Sequence, residues 1–266
     1  MTTLAIVIVS HNTRRDLENC LQSLHDHPPR VTHEIVVVDN ASSDGSVDAV
    51  RSQWPGVRVL PLNSNVGFAA ANNHGIRATQ SDLILLLNSD TIVPDGSLDR
   101  LIATLQELNG ASIVGPKIVD GDGRAELSYG RMLTPLSELR QKLLLKYASP
   151  ERLESLTSQT RRVDWVTAAC LLVRRSDAEA AGLLDERYFM YCEDVDFCAA
   201  VRANGGAVYF SPAAKIVHLR GRSWGARPAA TAESYGRSQL AFYQKHHPGW
   251  VPLLRLYLGM RGKLPK

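Results

Sequence analysis

Continuous apolar runs alternate with segments of helical periodicity over the first 108 residues. Four runs rich in Val, Ile and Leu predict strands buried on both faces, and the spacing of Leu17, Leu21 and Leu24 is typical of an amphipathic helix. Such an alternation predicts a parallel sheet with helices on both faces. The strands are expected at Leu4–Ser10, Glu34–Asp39, Val57–Leu62 and Asp82–Asn88, and three further helices at Ser43–Gln53, Gly67–Thr79 and Pro94–Leu108.

Small polar or acidic residues follow directly after each of these four apolar runs. In a parallel α/β sheet, ligands bind beyond the carboxyl ends of the strands. The sequence therefore predicts a ligand site at this edge of the sheet. The four clusters are Ser10–Asn12, Asp39–Ser42, Asn63–Asn65 and Asn88–Asp90.

The second part of the chain is more mixed and predicts shorter elements. Asp120–Gly123, between two apolar segments, indicates a hairpin turn, because it lacks the further acidic positions of a calcium loop. Leu136–Leu156 is rich in leucine and basic residues and predicts one or two helices. Further strands are expected at Trp165–Val173, Ala207–Phe210 and Lys215–Leu219, and further helices at Glu193–Asn204, Ala230–His247 and Val251–Met260.

The composition is that of an ordinary globular protein, but the charge is unevenly distributed. The 266 residues are 44% hydrophobic and 21% charged, so a core needs no disulfide or zinc ion. The formal net charge is +3, yet residues 207–266 contain 10 Lys or Arg and one acid, Glu233, whereas the preceding residues contain 20 Lys or Arg and 26 Asp or Glu. This basic segment indicates either an anionic partner, with phosphate as the first candidate, or a solvated basic surface.

Three features of the chain predict a cytoplasmic protein. The four cysteines are far apart and have apolar neighbours, which favours reduced thiols. No apolar run reaches 18 residues, and the first residues lack the basic start and the cleavage site of a signal peptide.

Several nucleotide-binding motifs are absent from the sequence. The first strand is followed by Ser10–Thr13 rather than by G-x-G-x-x-G, which argues against a nicotinamide or flavin oxidoreductase. There is no P-loop, and no glycine-rich loop of the kind that a sugar nucleotidyltransferase places after its first strand.

Two acids at strand ends are candidates for ligand binding. Asp39 can accept a hydrogen bond from a base or a ribose hydroxyl, although its turn-rich surroundings also suit an Asx turn or a helix cap. Asp90, in Asn88–Asp90, can hold a divalent ion against a diphosphate, since Mg²⁺ and Mn²⁺ accept one or two protein carboxylates plus phosphate oxygens; the alternative is a cap before Pro94.

An acidic cluster and a histidine with two arginines are further candidates. Glu193, Asp194 and Asp196 lie within four residues, where mutual repulsion would raise at least one pKa and favour a catalytic base; the alternative is stabilisation of a helix N-terminus. His218 ends a strand, and Arg220 and Arg222 follow it, as expected for a metal or phosphate site.

Taken together, these segments resemble the inverting, nucleotide-sugar-dependent glycosyltransferases of family 2, nearest to the bacterial rhamnosyltransferase-like branch. The resemblance implies an α/β GT-A (nucleotide-diphospho-sugar transferase) fold with a Rossmann-like, mostly parallel central sheet. It implies one catalytic domain over residues 1–230, with a donor half (1–115) and an acceptor half (116–230), followed by a basic helical segment (231–266). The matching segments are Ile6–Asn12, Val36–Ser46, Asn65–Asn73, Leu86–Asp90, Trp165–Cys170 and Phe189–Asp196, with His218, Gly221 and Ser223.

The resemblance also implies a role for each candidate residue. Asp194 takes the position of the catalytic base, and Asp90 that of the metal ligand, with His218 as a second ligand for Mg²⁺ or Mn²⁺. Asn88 departs from the family's D-x-D pattern, and Thr167 and Ala168 stand where the branch often has Ser-Gly. The nucleotide-sugar site would comprise Ser10, Asn12, Asp39, Asn65, Gly67, Asn88, Ser89, Asp90, Arg220, Arg222 and Ser223; the catalytic group Glu193, Asp194 and Asp196; and the acceptor or sugar site Trp165, Thr167, Ala169 and Trp224.

The implied reaction is a single displacement that moves a sugar, with dTDP-rhamnose as the preferred donor, to a hydroxyl of a glycan or lipid-linked acceptor. One base would deprotonate the acceptor, and the metal with the arginines would stabilise the leaving diphosphate. A non-catalytic nucleotide-sugar-binding protein, a sugar nucleotidyltransferase and a lectin-like scaffold remain as alternatives. No nucleic-acid partner is expected.

The C-terminal segment has two interpretations. Val251–Met260 combines leucines with Arg255 and is too short to span a bilayer, but a short basic amphipathic helix can lie on an anionic membrane, here the inner face of the cell membrane. Alternatively, this helix packs its leucines on the body of the protein.

Overall fold

The N-terminal third of the chain forms the alternating unit that its pattern predicts. The computed structural model describes residues 1–219, 228–261 and 264, with the backbone alone for residues 228–232. Four parallel strands are ordered β3-β2-β1-β4. The elements are β1 (Thr3–Ser10), α1 (Arg14–Asp26), β2 (Thr32–Asp39), α2 (Ser46–Gln53), β3 (Arg58–Pro61), α3 (Phe68–Arg77) and β4 (Leu83–Asn88).

Two hydrophobic cores cover the two faces of this sheet. Successive side chains of a strand point to opposite faces, so Val7 lies in one core and Ile6 and Ile8 lie in the other. All three are fully buried. Burial of each such side chain stabilises the fold by about 1.5–3 kcal/mol, which explains why these strands are continuous apolar runs.

The later strands complete a single mixed sheet. Beyond β4 the order is β11 (Cys170–Arg174), β6 (Ala111–Val119), β12 (Ala207–His218) and β5 (Thr91–Ile92). Strand β11 is antiparallel to both β4 and β6, and β12 is parallel to β6. The remaining elements are α4 (Ser97–Glu107), β7 (Ala125–Glu126), β8 (Tyr129–Gly130), α5 (Pro135–Tyr147), α6 (Pro150–Leu156), β9 (Arg161–Val163), β10 (Trp165–Val166), α7 (Arg175–Ala180), α8 (Glu193–Ala203), α9 (Pro228–His246), a 3₁₀ turn (Pro248–Trp250) and α10 (Val251–Met260).

Three of the expected strands differ in the structure. The run Trp165–Val173 is divided between β10, which pairs with β8 in a small second sheet, and β11 in the main sheet. Conversely, the two short strands expected around Pro212 form one strand, β12, with a register shift between Ser211 and Lys215. Proline lacks the N–H that the ladder requires, so the strand bulges there and then resumes.

The two C-terminal helices pack onto the same domain. Phe242 and Tyr243 of α9 and Leu254 and Leu258 of α10 are buried in one of the two cores. The expected boundary after residue 230 falls inside α9. Within the described ranges, no helix is both long and apolar enough to cross a bilayer.

Candidate functional site

Asp39 supplies an unpaired buried acceptor at the carboxyl end of β2. Its Oδ2 accepts a hydrogen bond from the Ser42 backbone N–H at 2.9 Å, which closes the turn after the strand. Its Oδ1 is buried and has no hydrogen-bond partner in the described part of the chain. A buried acceptor without a partner is costly, so this oxygen is well placed to accept from a ligand. One oxygen thus closes the turn, and the other remains available to a ligand.

The loops beside Asp39 are held by short polar contacts. Asn12 has a left-handed backbone (φ 54°), and its Oδ1 accepts from the Ser43 N–H at 2.8 Å. Ser10 is buried, and its hydroxyl shares a hydrogen bond with Thr13 at 3.0 Å; Thr13 in turn contacts Ser89 at 3.0 Å. Ser10 and Ser89 therefore lie in one chain of hydroxyls that joins the ends of β1 and β4.

Asn40 is a positioning residue that the sequence reading did not single out. Its Nδ2 donates to Asn65 Oδ1 at 2.9 Å, and its Oδ1 accepts from the Val66 N–H at 2.9 Å. Gly67 follows with φ 88°, and a Cβ there would come within 2.6 Å of the Phe189 carbonyl oxygen. The loop at Asn65–Gly67 is thereby fixed between the end of β2 and the segment before α8.

Asp90 and His218 meet at the carboxyl end of β4. Pairing of β5 with β12 places Asp90 Oδ1 3.0 Å from His218 Nε2. Asn88 Nδ2 lies 3.5 Å from the same nitrogen, and Asn88 Oδ1 is buried with no hydrogen-bond partner in the described ranges. A carboxylate, an imidazole and an amide oxygen fit Mn²⁺ or Mg²⁺ that completes its shell with phosphate oxygens. Among the residues described, no group of three His, Cys, Asp or Glu side chains could hold a metal by itself.

The acidic cluster lies at the start of α8, after two strained residues. Tyr191 and Cys192 both have left-handed backbones (φ 73° and 67°), which cluster at functional sites in proteins. Asp194 is partly exposed, and it accepts hydrogen bonds from the N–H groups of Val195 at 2.8 Å and Ala168 at 3.3 Å. Its carboxylate is therefore held in a fixed orientation.

The pKa values of the first two acids are raised. Burial raises the pKa of Glu193 well above its usual range, and the charge of Asp194 adds to the rise. Glu193 Oε2 is buried and finds no hydrogen-bond partner among the residues that the structure describes. Burial also raises the pKa of Asp194, while its backbone hydrogen bonds act in the opposite direction. Desolvation is thus the main cause, rather than the mutual repulsion that the sequence suggested.

Asp196 lies on a different side of α8 from the candidate base. It is almost fully buried, with Lys245 Nζ at 2.8 Å from Oδ2, and His246 Nε2 at 2.6 Å and Tyr188 Oη at 3.2 Å from Oδ1. These contacts join α8 to α9. Asp196, which was expected in the catalytic group, therefore has the contacts of a structural residue and not those of a base open to an acceptor.

Loss of the Asp196 carboxylate should destabilise the protein. We expect Asp196→Ala to lower the free energy of unfolding by about 3 kcal/mol, because it removes a buried carboxylate that contacts Lys245, His246 and Tyr188. Asp185→Ala is the matched control, since Asp185 also pairs with Lys245 but is more exposed, and we expect a loss within about 1 kcal/mol. Urea denaturation measures both. Equal small losses would contradict the structural role.

The segment Thr167–Ala169 connects the carboxyl end of β4 with the candidate base. The Ala169 carbonyl oxygen accepts from the Asn88 N–H at 3.0 Å, and the Ala168 N–H donates to Asp194. Thr167 is partly exposed beside them. Adjacent residues of one turn therefore hold Asn88 on one side and Asp194 on the other.

Of the other residues expected at the site, one is buried in the core and four lie outside the described residues. Trp165 is buried, and its indole N–H donates to the Arg131 carbonyl oxygen at 2.8 Å, so it supports the site from within the core. Arg220, Arg222, Ser223 and Trp224 lie outside the described residues.

Comparisons with known proteins identify related glycosyltransferases. The family model described as Glycosyl transferase family 2 matches residues 5–167. An N-acetylglucosaminyl-diphospho-decaprenol L-rhamnosyltransferase of Mycobacterium tuberculosis is 31% identical, over 98% of this chain and 92% of its own length. Rhamnosyltransferase WbbL of Escherichia coli is 28% identical, over 80% of this chain and 82% of its own.

Solved structures show the same fold at lower identity. GalNAc-T7 with UDP, GalNAc and Mn²⁺ has a TM-score of 0.65 at 20% identity, over 91% of this chain; this chain spans half of that one. A mannosyltransferase from Pyrobaculum calidifontis with GDP-Man and Mn²⁺ has a TM-score of 0.62 at 18% identity, over 94% of this chain and 67% of its own. The expected GT-A fold is confirmed. Because the family model matches residues 5–167 and one relative is similar over nearly its full length, this chain belongs to glycosyl transferase family 2, in its rhamnosyltransferase-like branch.

Proposed function

We propose that this protein transfers a sugar from a nucleoside-diphosphate sugar to an acceptor hydroxyl with inversion at the anomeric carbon. The observation that carries the proposal is the Thr167–Ala169 segment, which contacts the end of β4 on one side and Asp194 on the other. A donor diphosphate bound at Asp90 and His218 would have its sugar directed toward Asp194. An in-line displacement requires this order of leaving group, sugar and base.

The donor is bound through three groups in this proposal. Asp39 Oδ1 accepts a hydrogen bond from the base or the ribose of the nucleotide. Asp90 and His218, with Asn88 beside them, would hold a divalent ion. Such an ion neutralises the charge that develops on the departing diphosphate. The unpartnered oxygens of Asp39 and Asn88 support this placement, since a bound ligand would satisfy both.

Asp194 acts as the base in the transfer step. The acceptor oxygen forms its bond to the anomeric carbon while the bond from that carbon to the phosphate oxygen breaks. The hydroxyl proton passes to the Asp194 carboxylate, and the bond electrons leave with the diphosphate. The raised pKa of Asp194 strengthens it as a proton acceptor, because a more basic carboxylate takes the proton more readily.

The names of the relatives indicate the substrates that we propose. The mycobacterial relative is named for transfer of L-rhamnose to N-acetylglucosaminyl-diphospho-decaprenol. We propose dTDP-rhamnose as the donor and a lipid-linked glycan as the acceptor. The experiment is a panel of nucleotide sugars with Mn²⁺, scored by release of nucleoside diphosphate with and without a synthetic lipid-diphosphate acceptor. Donor binding without any release would instead indicate a non-catalytic nucleotide-sugar-binding protein.

Replacement of Asp39 should weaken binding of the nucleoside. We expect Asp39→Ala to weaken the binding of nucleoside monophosphate and of nucleoside diphosphate by the same amount. The expected loss of binding free energy is about 1.5–3 kcal/mol, the contribution of a charge-assisted hydrogen bond. Asp48→Ala removes the same charge from an exposed position in α2 and serves as the matched control. Titration calorimetry measures both variants. Unchanged affinities in Asp39→Ala would leave Asp39 with its turn-closing role alone.

A further inference from the structure

Helix α5 is packed with its apolar side chains outward. Glu138 is its only buried residue, whereas Leu136, Leu139 and Leu143 are 56%, 54% and 48% exposed. These three leucines are spaced by three and four residues, so they form one stripe along the helix. A surface helix ordinarily buries such a stripe and exposes its charges. The reversed arrangement in α5 indicates a surface that is covered by something other than water.

The buried glutamate fixes this orientation. Glu138 accepts hydrogen bonds from Gln239 Nε2 and Tyr243 Oη of α9, both at 2.7 Å. Turning the leucines inward would expose this carboxylate and break both bonds. The outward leucines are therefore a consequence of a specific buried contact, and not of a loosely attached helix.

Helix α10, which also packs against α9, carries further exposed apolar residues. Leu254 and Leu258 are buried, but Leu253, Leu256 and Met260 are exposed. The two helices converge on α9, because His247 at its end contacts the Leu133 carbonyl oxygen just before α5 at 2.8 Å, and α10 follows directly. The exposed apolar residues of the two helices are Leu136, Leu139, Leu143, Leu145, Tyr147, Leu253, Leu256, Tyr257 and Met260, which we name the α5–α10 face.

Every exposed charge on these two helices is positive. Arg140, Lys142 and Lys146 lie on α5, and Arg255 lies on α10; all residues of both helices are described, and their one acid, Glu138, is buried. Long basic side chains can extend past neighbouring leucines toward anionic headgroups. A second copy of this face would bring like charges together, which disfavours self-association.

We propose that the α5–α10 face docks on an anionic lipid bilayer. The leucines enter the interface between headgroups and acyl chains, and the arginines and lysines contact the lipid phosphates. The inference rests on exposed side chains and their charge, so it stands apart from the proposed sugar transfer.

Helix α9, which contacts both α5 and α10, also contacts the segment before the candidate base. The Ser238 hydroxyl of α9 donates to the Met190 carbonyl oxygen at 2.7 Å, and the Tyr191 and Tyr235 rings lie 5.7 Å apart. Docking would therefore bring the bilayer close to the start of α8.

Co-sedimentation of the full chain with vesicles tests the docking. We expect sedimentation with phosphatidylcholine vesicles that contain phosphatidylglycerol, little with phosphatidylcholine alone, and a decrease as salt rises. The triple variant Leu136→Gln, Leu139→Gln, Leu143→Gln should bind at least about tenfold less, since it removes apolar area. Because these side chains are exposed and Gln is a good helix former, its thermal unfolding should be unchanged.

Two double variants, each of which removes two positive charges, distinguish docking through this face from nonspecific electrostatic attraction to the vesicles. Arg140→Gln with Lys146→Gln should weaken binding to the anionic vesicles several-fold. The control variant, Arg15→Gln with Arg51→Gln, removes two exposed charges from α1 and α2 and should leave this binding unchanged. Equal binding by the wild type and the triple-leucine variant would overturn the proposal. So would a wild-type dimer, seen by sedimentation velocity, that the leucine variant abolishes, because the face would then serve a second copy.

Discussion

Asp194→Asn is expected to reduce turnover by about 10²–10⁴-fold while donor binding changes by no more than a few-fold. The amide keeps the size of the side chain and can still accept a backbone hydrogen bond, but it cannot take the acceptor proton. Initial rates of nucleoside diphosphate release give turnover, and titration calorimetry with the donor nucleotide gives binding. The separation of the two effects distinguishes a base from a donor ligand.

The pH dependence gives a second readout for the same residue. Because burial raises the pKa of Asp194, its basic form is lost as the pH falls through that value, and the wild-type rate should fall with it. The asparagine variant should lack this acidic limb. Near-normal turnover in Asp194→Asn would transfer the role to Glu193, whose carboxyl also has a raised pKa. Glu193→Gln is therefore the variant to compare.

Removal of divalent ions is expected to abolish transfer, and Mn²⁺ or Mg²⁺ should restore it. Stabilisation of the leaving diphosphate by such an ion contributes several kcal/mol, so the rate should fall at least about 100-fold in EDTA. Asp90→Ala should weaken binding of nucleoside diphosphate more than binding of the nucleoside, and calorimetry in Mn²⁺ measures this difference without turnover. Full activity in EDTA would instead indicate that basic side chains, and not a metal ion, stabilise the leaving diphosphate.

His218 provides the control for the metal hypothesis. It pairs with Asp90 at 3.0 Å, so His218→Ala should reproduce the diphosphate-specific loss of Asp90→Ala. Asp39→Ala should not, because Asp39 is proposed to contact the nucleoside part. If His218→Ala bound nucleoside diphosphate normally in Mn²⁺, its pairing with Asp90 would be structural only.

The first four strands, their parallel arrangement and the polar clusters at their carboxyl ends were predictable from the sequence. Each strand is a continuous apolar run that ends in polar residues, and the parallel register then brings Ser10 opposite Asp39 and Val9 opposite Asn88. Local signals suffice there, because the hydrophobic pattern fixes both the element and the end at which polar side chains emerge.

The division of Trp165–Val173 could not be read from local signals. No glycine or proline marks the turn at Thr167–Ala169. It is set by distant partners, since the Thr167 N–H donates to Ser128 and the Ala168 N–H donates to Asp194. A continuous apolar run therefore looked like one strand although it serves two sheets.

The difference between the surroundings of Asp194 and Asp196 likewise depends on tertiary contacts. Both acids stand in the first turn of α8, and their spacing alone cannot assign a base. Lys245 and His246, about 50 residues further along the chain, bind one of them and leave the other facing Ala168. For the same reason the outward stripe of α5 could not be foreseen, because it depends on the partners of Glu138 in α9.

The position of β11 between β4 and β6 has a consequence for how the chain folds as it leaves the ribosome. Residues 3–88 contain four strands that pair only with one another and with β11, so this unit can assemble early. Strands β5 and β6 are made next, but β6 cannot join β4 in the sheet until residues 170–174, which pair with both, have been synthesised, and β12 comes later still. A nascent or truncated chain that ends before residue 170 therefore exposes the edge of β4, which is a template for aggregation. Exchange of donor and acceptor halves between relatives would cut this sheet, so recombination within this fold is expected to succeed at surface loops and to fail near residue 115.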